Sequence, residues 1–165
     1  MTQQELIERV ARELADLPEL RALFVGGSYG SGTADAYSDV DLIALAEPAD
    51  IAAVAARWRQ LLERIDRVVF WNELGPGPIL LNAITQDWLR CDMLVMTPPE
   101  FVGRAKTTVR PLIDRIGCFE ALRNWSRSFA ATFWNCVNTW RGFDHSPSWP
   151  NVTSPATVWN ECAWM

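Results

Sequence analysis

Two aspartates, Asp39 and Asp41, stand one residue apart at the start of an apolar run that continues to residue 45. In a strand, alternate side chains point to the same face, so the two carboxylates are predicted to project together, about 6.5–7 Å apart along the backbone. Neighbouring carboxylates repel each other unless a cation lies between them. Hard divalent ions such as Mg²⁺ bind carboxylate oxygens and commonly bring substrate phosphates with them. The pair therefore indicates a metal site that handles phosphates.

A glycine-rich stretch just upstream of the aspartates supplies groups that can bind a phosphate. An apolar run over residues 23–25 leads into Gly26-Gly27-Ser28-Tyr29-Gly30-Ser31-Gly32. Backbone N–H groups and a serine hydroxyl are accessible in such a stretch, because little side-chain bulk blocks a ligand. The segment predicts a strand, a glycine-rich turn and a second strand. A simple connecting loop would explain the glycines, but not the serine and the paired aspartates at this spacing.

The combined pattern resembles the signature of the DNA polymerase beta-type nucleotidyltransferase superfamily, which includes the aminoglycoside and the minimal nucleotidyltransferases. Gly27-Ser28 is followed, after ten intervening residues, by Asp39-Val40-Asp41. Gly32 and Ser38 stand where these enzymes commonly have a glycine and a serine. The resemblance covers roughly residues 20–115. It implies metal binding and catalysis by the two aspartates, and nucleotide binding by Gly27, Ser28 and Ser38.

A third carboxylate, Asp92, interrupts an apolar stretch over residues 88–96. A buried carboxylate without a partner is unfavourable and shifts its pKa, so Asp92 requires a partner. Arg90, two residues away on the same face, is one candidate. In the resembled superfamily, a third acidic residue comes from a later strand beside the Asp-x-Asp strand. The resemblance therefore implies that Asp92 is the third catalytic carboxylate and the third metal ligand.

The activity implied by the resemblance is nucleotidyl transfer by a two-metal mechanism with Mg²⁺. A nucleoside monophosphate would move from a nucleoside triphosphate, expected to be ATP, to a hydroxyl of a small aminoglycoside-like acceptor. Two alternatives stay open. The chain could be a minimal nucleotidyltransferase that acts as an antitoxin and modifies a partner protein, or a nucleotide-binding module without transfer activity.

The elements that must position these residues indicate an α/β chain of the α+β type, with a mixed twisted sheet flanked by helices. Apolar periodicity predicts helices at residues 3–17 and 51–65. Strand patterns occur at residues 22–26, 39–46, 67–72, 79–85, 88–96 and, as an edge strand, 109–115. Thr97-Pro98-Pro99-Glu100 has the signals of a helix start. One of the basic residues that follow could meet a triphosphate, but they are interpreted as solvated: Arg104, Lys106 and Arg110.

The C-terminal part of the chain has a different character. We predict a nucleotidyltransferase domain at residues 1–116, and at residues 117–165 a short helical extension, over residues 119–141, with an irregular Trp-rich tail. This part is interpreted as a truncated second domain or the product of a shifted reading frame. An apolar tail left exposed would favour association, so a homodimer is one expectation.

Composition narrows the classes of partner. The net charge of −5 argues against a general nucleic-acid binder, whose surface is normally basic, and suits a cationic acceptor. No apolar run reaches the roughly 18 residues of a membrane span, and the first residues lack a signal-peptide pattern. We therefore expect a cytoplasmic protein without a membrane span. The four cysteines are too far apart in sequence to form a zinc-type pair.

Overall fold

The computed structural model describes residues 1–122 of the chain. Its centre is a six-stranded mixed sheet in which the strands follow the order β3-β4-β5-β2-β1-β6. These strands are β1 (Leu20–Val25), β2 (Val40–Ala46), β3 (Val68–Leu74), β4 (Ile79–Thr85), β5 (Arg90–Met96) and β6 (Arg110–Asp114). The helices are α1 (Gln3–Leu14), α2 (Gly27–Ser31), α3 (Ile51–Ile65), α4 (Pro98–Phe101) and α5 (Cys118–Ala121), with a 3₁₀ turn at Lys106–Thr108. The predicted α+β architecture, a mixed sheet flanked by helices, is confirmed.

The main core lies between one face of the sheet and the helices α1 and α3. Val40 and Leu42 of β2 are fully buried there, together with Val10 of α1 and Trp58 of α3. Burial of each large apolar side chain stabilises the fold by about 1.5–3 kcal/mol. Because side chains alternate across a strand, Asp41 points to the opposite face. A register slip of one residue would place that carboxylate in the core, so this packing holds Asp41 where it is.

A smaller core covers part of the opposite face. Phe24 of β1 stacks on Phe101 of α4 with ring centroids 4.5 Å apart, and Ile43 of β2 is buried in the same cluster. The cluster also contains Val109, which directly follows the 3₁₀ turn. This packing holds α4 and the 3₁₀ turn beside the strand that carries Asp41.

The central strands β2 and β5 run parallel, whereas the other neighbouring strands pair antiparallel. The hairpin predicted for β4 and β5 is present, and β6 occupies one edge of the sheet, as predicted. An edge position suits Pro111 in β6, because proline cannot donate a ladder hydrogen bond. The predicted capping box of α4 also forms, between Thr97 and Glu100.

Three sequence-based expectations differ from the structure or fall outside it. The predicted glycine-rich turn is the short helix α2, in which the N–H of Gly30 donates to the carbonyl of Gly26 at 2.7 Å. Helix α1 ends at Leu14, before the predicted residue 17, and tight turns lead on to Pro18. Most of the helix predicted at 119–141, and the tail beyond it, lie outside the described residues. The domain division at residue 116 therefore stays a prediction.

Within residues 1–122, no helix combines the length and the apolar character that a membrane crossing requires.

Candidate active site

Three carboxylates meet on the sheet face opposite the main core. Asp41 and Asp92 are direct neighbours on the parallel strands β2 and β5, and Asp39 immediately precedes β2. One carboxylate oxygen from each residue lies within 4.8 Å of those of the other two. The structure thus brings together the three aspartates that were named from the sequence. Their catalytic role stays a prediction.

Arg90 contacts two of these carboxylates. Its Nη2 donates to Oδ2 of Asp92 at 2.9 Å, and its Nε lies 3.6 Å from Oδ2 of Asp39. The Arg90 side chain is 57% exposed, so the pair with Asp92 contributes at most about 1 kcal/mol to stability. A pair with Arg90 and a place in the carboxylate cluster, the two arrangements considered for Asp92 from the sequence, are therefore compatible. It pairs with Arg90 and also faces the other two carboxylates.

The electrostatics of the cluster fit a hard divalent cation. Burial raises the pKa of Asp41 above its usual value, the charges of Asp39 and Asp92 raise it further, and Arg90 opposes the rise. Oδ1 of Asp92 is buried and accepts no hydrogen bond from any group in residues 1–122. Carboxylates that are partly desolvated, close together and incompletely paired are stabilised by a cation between them. This all-oxygen donor set suits Mg²⁺.

Gly27 lies directly against one of the carboxylates. Its backbone φ is +55°, in the left-handed region, and a Cβ built at this position would lie 2.0 Å from Oδ2 of Asp41. Any other residue would have to displace that carboxylate as well as adopt an unfavourable backbone conformation. The neighbouring N–H of Gly26 donates to the backbone carbonyl of Asp41 at 2.8 Å, which fixes the start of α2 against β2.

A cavity of about 310 Å³, called here the glycine-side cavity, opens beside the aspartates. Gly27, Asp41 and Asp92 line one part of it, and Arg104 and Thr108 line another. Within the described part of the chain, no carboxylate forms an ion pair with Arg104. A guanidinium opposite carboxylates that can hold a cation is suited to a polyanionic ligand.

The three basic residues between positions 104 and 110 have different surroundings. Arg104 lines the cavity, whereas Lys106 pairs with Glu120 at 2.8 Å and lies over the ring of Phe119. Arg110 is exposed at the edge strand β6. The sequence contained a basic cluster, but only the three-dimensional position of α4 and the 3₁₀ turn distinguishes its members.

The two candidate serines have different surroundings. Oγ of Ser28 is buried in α2 and has no hydrogen-bond partner among residues 1–122. Oγ of Ser38 accepts from the backbone N–H of Asp35 and donates to the Asp35 carboxylate, each at 2.9 Å. Neither serine lines the glycine-side cavity. Ser38 thus stabilises the loop that leads into Asp39, and nucleotide binding by either serine stays a prediction.

Gly30 has a positional role that its sequence context did not reveal. A Cβ at this residue would lie 2.3 Å from the backbone carbonyl oxygen of Thr108. The absence of a side chain lets α2 pack against the 3₁₀ turn, and so sets the distance between two walls of the cavity. Thr108 itself was not indicated by any motif, because only this close packing brings it to the site.

Comparison with known proteins gives one family match. Residues 7–82 match the family model described as a nucleotidyltransferase domain, which confirms the resemblance noted from the Gly-Ser and Asp-x-Asp residues. The matched range includes Gly27, Ser28, Asp39 and Asp41 and ends before Asp92, which joins the site through the pairing of β5 with β2. No curated protein sequence matches the chain.

Several solved structures are similar to the chain at low identity. Cid1, described as an RNA terminal uridylyl transferase, is 20% identical with a TM-score of 0.39, and the match covers 53% of this chain and 27% of that one. A toxin-antitoxin with AMP-PNP is 14% identical with a TM-score of 0.38, covering 82% and 92%. A CCA-adding enzyme in an apo form is 13% identical with a TM-score of 0.45, covering 81% and 36%. The chain thus spans about a quarter to a third of the length of Cid1 and of the CCA-adding enzyme.

Proposed function

We propose that this chain, whose residues 7–82 match the nucleotidyltransferase domain family, transfers a nucleoside monophosphate from ATP to a hydroxyl of a small-molecule acceptor. The observation that carries the proposal is the convergence of Asp39, Asp41 and Asp92 within 4.8 Å of one another. Asp41 and Asp92 line a cavity that Gly27 and Arg104 also line. Carboxylates for cations and a cationic side chain for phosphates are thus present in one site.

Asp39, Asp41 and Asp92 would hold Mg²⁺, since one carboxylate oxygen from each lies within 4.8 Å of the others. The pKa of Asp41 is raised first by burial and then by the charges of Asp39 and Asp92, which a bound cation would neutralise. A bound pair of such ions stabilises the attacking and leaving oxygens of an in-line displacement. The register of β2 and β5 fixes the carboxylates of Asp41 and Asp92 on paired strands, so little reorganisation is required of them when substrates bind.

The triphosphate would lie in the glycine-side cavity. The backbone N–H of Gly27 and the guanidinium of Arg104 can donate to phosphate oxygens there. The Ser28 hydroxyl has no partner within residues 1–122, and we expect it to donate to a phosphate oxygen when the nucleotide binds. Ser38 would act on nucleotide binding through the loop that it stabilises with Asp35.

Asp92 would take the proton of the attacking hydroxyl. Arg90 holds its Oδ2, while Oδ1 accepts no hydrogen bond from residues 1–122. The acceptor oxygen forms a bond to the α-phosphorus, the bond from that phosphorus to the bridging oxygen breaks, and pyrophosphate leaves. The hydroxyl proton passes to Oδ1 of Asp92. A positioned general base of this kind contributes about 10²–10⁴-fold to a rate.

An aminoglycoside-like acceptor suits the acidic character of the chain, whose net charge is −5. Its amines would be attracted to a site that contains three carboxylates, and its hydroxyls would supply the nucleophile. A cytoplasmic location and a homodimer remain predictions made from the sequence.

The proposal is tested by incubating the protein with ATP, Mg²⁺ and either kanamycin or streptomycin, and measuring pyrophosphate. We expect release that needs both the acceptor and Mg²⁺, and that falls by about a hundredfold or more in Asp41→Asn. The matched control is Asp16→Asn, the same change at an exposed position after α1. Nucleotide binding without pyrophosphate would favour a binding module, and transfer only to a co-purifying protein would favour the antitoxin alternative. Either result would overturn the small-molecule proposal.

A further inference from the structure

A second cavity borders the carboxylate cluster on its other side. It has a volume of about 300 Å³, and it is called here the amide-side cavity. It is lined by Phe70, Asn82, Ala83, Ile84, Arg90 and Asp92. Within the described residues, Asp92 is the one side chain that lines both this cavity and the glycine-side cavity. The base proposed for the reaction therefore stands between two spaces of similar size.

A polar row runs across four strands and ends at the carboxylates. Strand register places Asn72 beside Asn82, Asn82 beside Asp92, and Asp92 beside Asp41. Nδ2 of Asn72 donates to Oδ1 of Asn82 at 3.3 Å. The side chains on either side of this row on β3 and β4 are apolar, namely Phe70, Leu74, Leu80 and Ile84.

The two amides keep hydrogen-bonding groups available. Within residues 1–122, Nδ2 of Asn82 and Oδ1 of Asn72 take part in no hydrogen bond, so the row offers both a donor and an acceptor. Phe70, beside the row, is 48% exposed. A partly exposed aromatic ring next to two amides that keep a free donor and a free acceptor differs from an ordinary solvated sheet face, where charged side chains are usual. It has instead the character of a ligand site: an apolar wall with a few placed polar groups.

We propose that the amide-side cavity binds a hydroxylated ring of the acceptor molecule, with Phe70 covering its apolar face. Asn82 in the cavity lining, and Asn72 beside it on β3 outside the lining, would hydrogen-bond the hydroxyls of the ring. This inference rests on the proposed function. In an in-line displacement the nucleophile approaches phosphorus from the side opposite the leaving group. A triphosphate in the glycine-side cavity directs its leaving pyrophosphate toward Gly27 and Arg104. The acceptor must then approach from the opposite side, where Asp92 meets the amide row.

The proposal makes Asn82 a specificity residue for the acceptor alone. In Asn82→Leu, which retains similar volume without hydrogen-bonding groups, we expect KM for kanamycin to rise about tenfold, because its hydroxyls lose their partners. KM for ATP should stay unchanged. The matched control is Glu73→Gln on the opposite face of β3, which should leave both values unchanged. A thermal melt of each variant checks that the fold is retained.

A measurement without turnover separates this proposal from the proposed function. The side-chain NH₂ signals of Asn72 and Asn82, assigned from their leucine variants, are followed by NMR while kanamycin, streptomycin or maltose is added. Shifts of both amides with at least one of these compounds, and none with ATP alone, would support the site even if no pyrophosphate forms. The proposal is overturned if none of the three compounds shifts the amides. It is also overturned if pyrophosphate forms and Asn82→Leu keeps the wild-type KM for the acceptor, or if only an oligonucleotide end accepts the nucleotide.

Discussion

Asp41 and Asp92 lie directly side by side on two parallel strands, although they are distant in the sequence. Like charges in cross-strand positions destabilise a sheet, so this arrangement has a cost in the free energy of folding. Arg90 offsets part of it, and the apolar residues on the other face of β2 prevent the strand from slipping to avoid it. A costly arrangement that the fold holds in place is expected where the charges serve a function.

The first prediction is that Asp41→Asn stabilises the fold while removing metal binding. The pKa of Asp41 is raised by burial and then by Asp39 and Asp92, so its ionised form is disfavoured in the folded state. The wild type therefore loses stability as the pH rises from the pKa of Asp41 in the unfolded state through its higher pKa in the folded state. Below both pKa values the carboxyl is protonated in both states, so there is no such loss. The amide should raise the unfolding free energy at pH 7 by roughly 0.2–1 kcal/mol.

Urea unfolding at pH 7 and near pH 3, with and without Mg²⁺, measures this effect. The stabilisation should appear at pH 7 and vanish near pH 3, where the wild-type carboxyl is also protonated. If the variant is less stable than the wild type at pH 7 in the absence of metal, the predicted repulsion of Asp41 by Asp39 and Asp92 is contradicted.

The second prediction concerns the contact between Gly27 and Asp41. In Gly27→Ala the new Cβ would displace the Asp41 carboxylate, and the left-handed backbone would add a cost of roughly 1–2 kcal/mol. Gly32→Ala is the matched control, because Gly32 also has a positive φ, +73°, but nothing lies within 4 Å of its Cβ position. Both variants should lose stability in thermal melts through the backbone cost, and Gly27→Ala should lose more because of the steric clash. Only Gly27→Ala should lose Mg²⁺ binding measured by calorimetry. Equal Mg²⁺ affinity in the two variants would contradict the steric role of Gly27.

The third prediction is that Arg90→Met increases the stabilisation that Mg²⁺ confers. Removal of the guanidinium leaves Oδ2 of Asp92 without its 2.9 Å partner and removes a positive charge next to the metal ligands. Without metal, the variant should be less stable by up to about 1 kcal/mol. With metal, its melting temperature should rise by more than that of the wild type.

Arg59→Met is the control for this change. Arg59 forms an exposed ion pair with Glu63 and lies over the ring of Trp71, away from the carboxylates. Its loss should leave the Mg²⁺-induced shift in melting temperature as in the wild type. An Arg90→Met protein whose shift is also unchanged would show that the guanidinium does not affect the cation site.

The fourth prediction uses Cys91 as a reporter of the strand that carries Asp92. Burial, and then the charge of Asp92, raises the pKa of the Cys91 thiol to about 12, and the side chain is fully buried. In a variant whose other cysteines are serine, a maleimide at pH 8 should react with Cys91 only when β5 opens. ATP with Mg²⁺ should slow the labelling further, since ligands stabilise the folded state. Rapid labelling of the native protein would contradict the described burial of β5.

Much of the fold could be predicted from local patterns in the sequence. The apolar stripe of α3, the capping box of α4 and the hairpin of β4 and β5 each depend on residues close in sequence. Helix α2 was not predicted, because glycine and serine have low helix propensity. In the structure, Gly30 of this helix packs closely against the 3₁₀ turn, a contact between segments that are distant in the sequence. The Asp-x-Asp pair was recognised from its spacing, although β2 begins at Val40, so that Asp39 precedes the strand instead of lying in it as predicted.

The parts of the site that were not predicted depend on register between strands and on the position of a connecting segment. Asn82 carries no motif, and its relation to Asp92 exists only once β4 and β5 are aligned. Arg104 resembles its basic neighbours in the sequence and differs from them only in what its side chain faces. Asp92 was proposed through a family resemblance, and its contact with Asp41 follows from the parallel pairing of β5 with β2.

The central claim is that Asp39, Asp41 and Asp92 together bind divalent metal with the nucleotide. Electron paramagnetic resonance with Mn²⁺ as a probe, in the presence of the non-hydrolysable analogue AMP-PNP, counts bound ions directly. The account predicts nucleotide-dependent Mn²⁺ binding by the wild type, and its loss when any one of the three aspartates is changed to asparagine, with Asp16→Asn unchanged. Equal Mn²⁺ binding by the wild type and the three variants would contradict the account.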